Sequence, residues 1–229
     1  MRSAIEADLE FLQMFGAARD ADVRKGLGPR LTRLFRALAV NAQSDSSVLT
    51  VNKPVLEHIA RQYSPAWLLI ADLYEEQQSP DWLAEAAEAV RHFLEEHPGS
   101  VRAWTRLASL ARRQGDYTGE AQALVSRSTQ ATTTFEFNSE AVDRINALHS
   151  DGSLQSMPKD EKSILLRSLL EAVGAMDTSE ITATDYSRLA WLAINAKDEG
   201  RAAKYVELGR AKDPSNIHIQ RLAWVESDR

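Results

Sequence analysis

Apolar residues recur along most of the chain at intervals of three, four and seven, with polar residues between them. That is the period of a helix with one buried face. The sharpest stretch runs from Ser64 to Tyr117. Trp67, Ile70, Ala71 and Tyr74 form one stripe; Trp104, Leu107, Ala108 and Ala111 form a second, 37 residues later. Each carries a small residue where a second backbone must come close. A following helix is predicted from Ala86 and Val90, closed by Pro98, with Ser79 as its N-cap and Pro80 at its first position. The second stripe is followed by a turn at Gly115-Asp116-Tyr117, then Ala121 and Val125, with no closing proline.

A third copy reads Tyr186, Leu189, Ala190, Ala193, Ala202, Val206, Gly209 and Pro214. Between it and the second, length and period place a degenerate pair starting near Ser139. Val142, Ile145 and Leu148 mark its first helix, Ile164, Leu165, Leu169 and Val173 its second, and Ser150–Pro158 the loop between. Taken together these residues resemble the tetratricopeptide repeat, whose pattern is W-x2-L-G-x2-Y, then A-x3-F, then P, over 34 residues. The resemblance implies an all-α fold, an α-α superhelix of antiparallel helix pairs. It divides the chain into N-terminal helices with a divergent pair over 1–63, two clear repeats over 64–133, a degenerate pair over 134–182, and a last repeat with a capping helix over 183–229.

Outside the repeats, Ser3 with Glu6 reads as a capping box before a helix carrying Ile5, Leu9 and Leu12. Gly26-Leu27-Gly28-Pro29 reads as a break, followed by a helix with a stripe of Leu31, Leu34, Phe35 and Leu38. Arg30, Arg33 and Arg36 fall mostly off that stripe, as a solvated face or an anion site. Ala42–Ser47 reads as a polar loop, and Asn52-Lys53-Pro54 as the start of a helix to about Tyr63 with Val55, Leu56 and Ile59 inward. Ser215-Asn216 caps a final helix with Ile217, Ile219, Leu222 and Trp224. Its apolar content suits a solvating cap poorly, so Trp224 is also a candidate for meeting a partner.

Composition narrows the function. Without cysteine the chain has no disulfide, thiolate metal site or cysteine nucleophile. The N-terminus lacks the apolar core of a signal peptide, and no apolar run is longer than Ala66–Ala71 or Leu189–Ile194, so a cytoplasmic protein without a membrane span is expected. The formal charge of −6 argues against general nucleic-acid affinity. Residues 72–96 sum to −7 and residues 100–127 to +3, so neighbouring repeats are complementary in charge. His58, His92, His97, His149 and His218 form no metal-binding pair, and no nucleophile elbow, Walker motif or dinucleotide fingerprint occurs. The expectation is a protein that is not an enzyme and holds no metal or cofactor.

In the tetratricopeptide family the first helix of each repeat lines a concave groove, and this sets the candidate site. Trp104, Leu107, Ala108 and Ala111 then pack sideways and leave Arg102, Arg106, Ser109 and Arg113, with Thr105, on the groove face. Leu69 and Asp72 come from the repeat before, and Arg188, Trp191 and Asn195 from the last. Arginines on one strip suit an anionic ligand, and Leu69 and Trp191 suit an apolar anchor. The opposing account is that the arginines neutralise Asp72, Glu75 and Glu76 on the neighbouring repeat. The family's carboxylate clamp uses Lys and Asn where this chain has Leu68, Asp72, Thr105 and Ser109, so that activity is not expected. The reading is a protein-protein interaction scaffold or adaptor binding a protein or peptide, an acidic one by the arginines, with the terminal helices available for self-association. The alternative is a regulatory or sensor region of a larger enzyme system, with the strip taking a nucleotide or nucleic acid.

Overall fold

The computed structural model describes residues 21–45, 47–77, 79–175 and 181–222. Every regular element among them is a helix, so the fold is all-α, and within each unit helices adjacent in sequence pack on one another, most extensively Ala66–Glu75 on Pro80–Glu96 and Ala183–Asn195 on Glu199–Lys212. The chain divides into two compact units between Gln114 and Gly115. The first holds α1 (Ala21–Ser44), α2 (Ser47–Gln62), α3 (Ala66–Glu75), α4 (Pro80–Glu96) and α5 (Val101–Gln114). The second holds α6 (Tyr117–Ser128), α7 (Phe135–Ser150), α8 (Lys159–Gly174), α9 (Ala183–Asn195), α10 (Glu199–Lys212) and α11 (Ile217–Gln220).

In the first unit two expected boundaries move. The break at Gly26–Pro29 is absent: α1 runs through it with Pro29 inside. Proline has a helical φ and removes only one N–H while crowding one carbonyl, a cost of about 3 kcal/mol. The stripe of Leu31, Leu34, Phe35 and Leu38, all buried, offsets it. The polar loop shrinks in the same way. Ala42 is buried on α1, and α2 starts at Ser47 instead of Asn52, because Asp45 Oδ1 accepts the Ser47 N–H at 2.9 Å and Leu49 buries in the first turn. Leu56 and Ile59 face the core, whereas Val55 is half-exposed.

Trp67, Ile70, Ala71 and Tyr74 are buried as expected, and the Tyr74 ring lies 4.9 Å from that of Trp82. Ser79 caps α4 by accepting the Trp82 N–H, with Pro80 next. Trp104 differs from Trp67. It is half-exposed, and its indole N–H donates to the Pro98 carbonyl at 2.7 Å, so it ties α5 to the end of the previous pair while Leu107, Ala108 and Ala111 bury.

In the second unit Val142, Ile145 and Leu148 bury on α7, and Leu165, Leu169 and Val173 on α8. Ile164 does not: it is 65% exposed, because Leu166 and Leu170 complete the buried stripe and turn it outward. The Ser150–Pro158 loop is anchored by buried Leu154 and Met157. On α9 and α10 the third repeat is regular, with Tyr186, Leu189, Ala190, Ala193, Ala202 and Val206 all buried. Gly209 is the close-approach residue. A side chain there would run into Ile219 and come within 3.1 Å of the Tyr186 Cβ. Asn216 caps α11 through the His218 and Ile219 N–H groups. The stripe of Ile5, Leu9 and Leu12, and Trp224, lie outside the described residues. No described helix is long and apolar enough to cross a membrane.

Candidate functional site

The first unit carries an open groove of about 820 Å³ between α1, α3 and α5. Its α1 wall is Thr32, Phe35, Arg36, Ala39, Val40 and Gln43, spaced three and four apart and therefore one stripe beside the core stripe. The α3 wall is Leu69, Asp72, Leu73 and Glu75 with Glu76 just past its end, and Arg106 comes from α5. Phe35, Ala39, Val40, Leu69 and Leu73 make an apolar floor, and the charged groups stand around it. Val40 is 65% exposed although it sits over this floor. On the far side of the groove α3 and α5 are bridged by charge.

That bridge is a pair of polar rungs. Arg106 reaches Asp72 Oδ1 at 2.7 Å and Glu75 Oε1 at 2.6 Å, and donates to the Leu68 carbonyl at 3.1 Å. Arg113 meets the other Glu75 oxygen at 3.0 Å. The second unit repeats the arrangement between α7 and α9. Arg188 pairs with Asp143 Oδ1 at 2.7 Å and Asp185 at 3.0 Å, and the Asn195 amide donates to Asn146 Oδ1 at 3.1 Å. Counting from Trp67, Trp104 and Tyr186, and from Asn138 in the degenerate pair, the positions coincide. Arg106 and Arg188 stand at +2, Asp72 and Asp143 at +5, Glu75 and Asn146 at +8, and Arg113 and Asn195 at +9. The degenerate repeat therefore starts at Asn138, buried where the others place an aromatic ring, one residue before the expected start.

The predicted residues thus separate. Leu69, Asp72 and Arg106 meet in one groove, and Arg113 joins them through Glu75. Arg106 and Arg113 are paired with acids of the neighbouring repeat, the account set against an anion strip. Arg102 and Ser109 are exposed and make no hydrogen bond or ion pair with a described residue. In the second unit Arg188 and Asn195 are held by α7, and Trp191 is 43% exposed.

Sequence reasoning missed the α1 wall, whose signal was apolar Ala39 and Val40 lying off the main stripe. It also missed Asp143 and Asn146, and Arg144. The last stands at +6, where the clear repeats have Leu73, Leu110 and Leu192, and it forms a bidentate pair with fully buried Glu120 at 2.8 and 2.9 Å.

Chemistry is sparse. No group of His, Cys, Asp and Glu among the described residues could hold a metal ion. His97 Nε2 lies 2.8 Å from Ser64 Oγ, but His97 has no acid partner among the described residues, so the pair lacks the orienting third group of a nucleophilic relay. Burial, with Glu85 and Glu57 nearby, pushes the Tyr74 hydroxyl well above the usual tyrosine range. Asp185 is held below the usual carboxylate range: burial raises it, but hydrogen bonds from Thr182 and Ser139 and the Arg188 charge outweigh that.

No protein-family model matches the chain, and no curated protein sequence matches it significantly. Two solved structures are similar over most of its length. The crystal structure of BtubC (BKLC) from P. vanneervenii is 13% identical, with 93% of this chain and 92% of that one covered, at a TM-score of 0.33. The de novo designed helical repeat protein DHR64 is 18% identical, with 98% and 93% covered, at a TM-score of 0.15.

Proposed function

We propose that the chain is a tetratricopeptide-like, non-catalytic interaction scaffold that takes a polypeptide segment in the groove of its first unit. The supporting observation is the apolar floor of half-buried Ala39 and Leu69 with exposed Val40, bordered by Arg36 and Glu76, which make no ion pair with a described residue. An apolar anchor on that floor, with an acid toward Arg36 and a base toward Glu76, suits the groove better than an acidic peptide. The alternative, a sensor of an anionic ligand, has less behind it, because Arg106 and Arg113 already have carboxylates.

The test is binding of captured partner polypeptides to the wild type and to Val40→Asp, whose exposed position leaves folding intact. The proposal expects Val40→Asp to abolish capture and Arg102→Glu to leave it unchanged. Capture that survives Val40→Asp and fails with Arg102→Glu favours the anionic-ligand reading.

A further inference from the structure

The groove of the first unit has a candidate occupant in the chain itself. Residues 1–20 lie outside the described residues and lead into Ala21, the first residue of α1, whose stretch from Thr32 to Gln43 walls that groove. Their sequence carries an apolar stripe, Ile5, Leu9 and Leu12, at helical spacing. Read as a helix, Ile5 to Leu12 covers about 10 Å, and the floor from Phe35 to Val40 runs about 8 Å along α1, so stripe and floor match in length.

The tether favours one direction. Placing Leu12 level with Phe35 takes about 21 Å from Ala21 along α1, and the chain between Leu12 and Ala21 reaches at most about 31 Å. Placing Leu12 level with Val40 takes about 29 Å before any sideways step into the groove, which stretches the same chain almost to its limit. A segment seated here would run antiparallel to α1, with Ile5 toward Val40. Charge suits this placement. On a helix Glu6 and Asp8 flank the stripe on its two sides and Arg2 stands beyond Ile5. The groove is bordered by Arg36 and Glu76, which make no ion pair with a described residue, so the segment brings an acid for one and a base for the other.

We propose that residues 3–15 cover the floor in cis as a displaceable amphipathic helix, with which a partner polypeptide must compete; this rests on the polypeptide reading of the groove. A tether of this kind gives even a weakly binding segment an effective concentration of about a millimolar. The chain has no cysteine, so an introduced pair reports proximity alone. In the full chain Ile5→Cys with Val40→Cys should oxidise to an intramolecular disulfide, faster than Leu12→Cys with Val40→Cys, whereas Ile5→Cys with Val51→Cys, at an exposed position of α2, should not. In parallel, a fluorescent synthetic peptide of residues 1–17 is titrated into the full chain, with melting curves confirming that each variant is folded. It should bind about tenfold more tightly to Leu9→Asp with Leu12→Asp, whose own segment is released, than to the wild type. Val40→Asp added to that variant should abolish binding. The proposal is overturned if the Ile5→Cys, Val40→Cys disulfide fails to form, if it joins two chains, or if wild type and released variant bind the peptide equally. Those results leave the groove reading standing where Val40→Asp still abolishes peptide binding; a peptide that binds neither form overturns both.

Discussion

The α3–α5 bridge of the first unit and the α7–α9 contact of the second use the same positions for the same purpose, although the α7 repeat lacks the signature residues of the others. At +5 and +2 both are an aspartate and an arginine, 2.7 Å apart. At +8 and +9 the first has Glu75 with Arg113 and the second Asn146 with Asn195, one ionic and one neutral. The rungs therefore belong to the stacking of neighbouring helices, and the side chains left over differ. The first unit keeps an apolar groove against α1, and the second keeps Trp191. Residues that look like a binding strip in the sequence are partly mortar.

The comparison breaks hardest at Arg144, which has no counterpart in the first unit. Arg144→Ala withdraws both bonds from buried Glu120 and should cost about 3 kcal/mol in urea unfolding, while Arg144→Leu with Glu120→Leu should recover most of it. A result within error of wild type for the alanine variant would mean that the buried pair is not sustained. Next come the +2 arginines themselves. Arg106→Ala should destabilise by about 1–2 kcal/mol and Arg188→Ala by somewhat less, since Arg106 has three acceptors and is the more enclosed. A double-mutant cycle on Asp72 and Arg106 should return a coupling near 1 kcal/mol, and a coupling of zero would dissolve the rung.

Smaller still is Tyr74, which has no equivalent in α7. Its buried hydroxyl has no partner, so Tyr74→Phe should be neutral or stabilising by up to about 1 kcal/mol. Because its folded pKa is raised, the folded state holds this proton after the unfolded chain has released it. The wild type should lose stability as pH rises above the unfolded tyrosine value of about 10, and Tyr74→Phe should lose less. Asn195→Ala, which cuts the neutral rung, should cost about 0.5 kcal/mol, visible as a small shift of the urea midpoint.

Much of this fold was legible because stripes of Trp67, Ile70, Ala71 and Tyr74 or of Tyr186, Leu189, Ala190 and Ala193 are read directly as buried faces. The helix through Pro29 was not, since a local breaker was outweighed by burial of Leu31 and Leu34 that only the packing reveals. Ile164 misled for a related reason: it sits one residue off a stripe that Leu166 and Leu170 could fill equally well. At the site, face geometry puts Leu69, Asp72 and Arg106 on one side and the three do line one groove, but whether an arginine is free depends on the neighbouring helix. Arg144 was illegible because an arginine at a leucine position becomes interpretable only once Glu120 is seen buried beneath it.

The central claim is that the apolar floor around Val40, and not the arginine strip of α5, receives a polypeptide. It is tested most directly by placing a photo-crosslinking phenylalanine at position 40 and, in a second sample, at position 102, and irradiating each in native extract. The account predicts polypeptide adducts from position 40 that disappear when Leu69→Asp is added to a chain still folded by circular dichroism, and none from position 102. Adducts from position 102 alone, or adducts from position 40 that ignore Leu69→Asp, would contradict it.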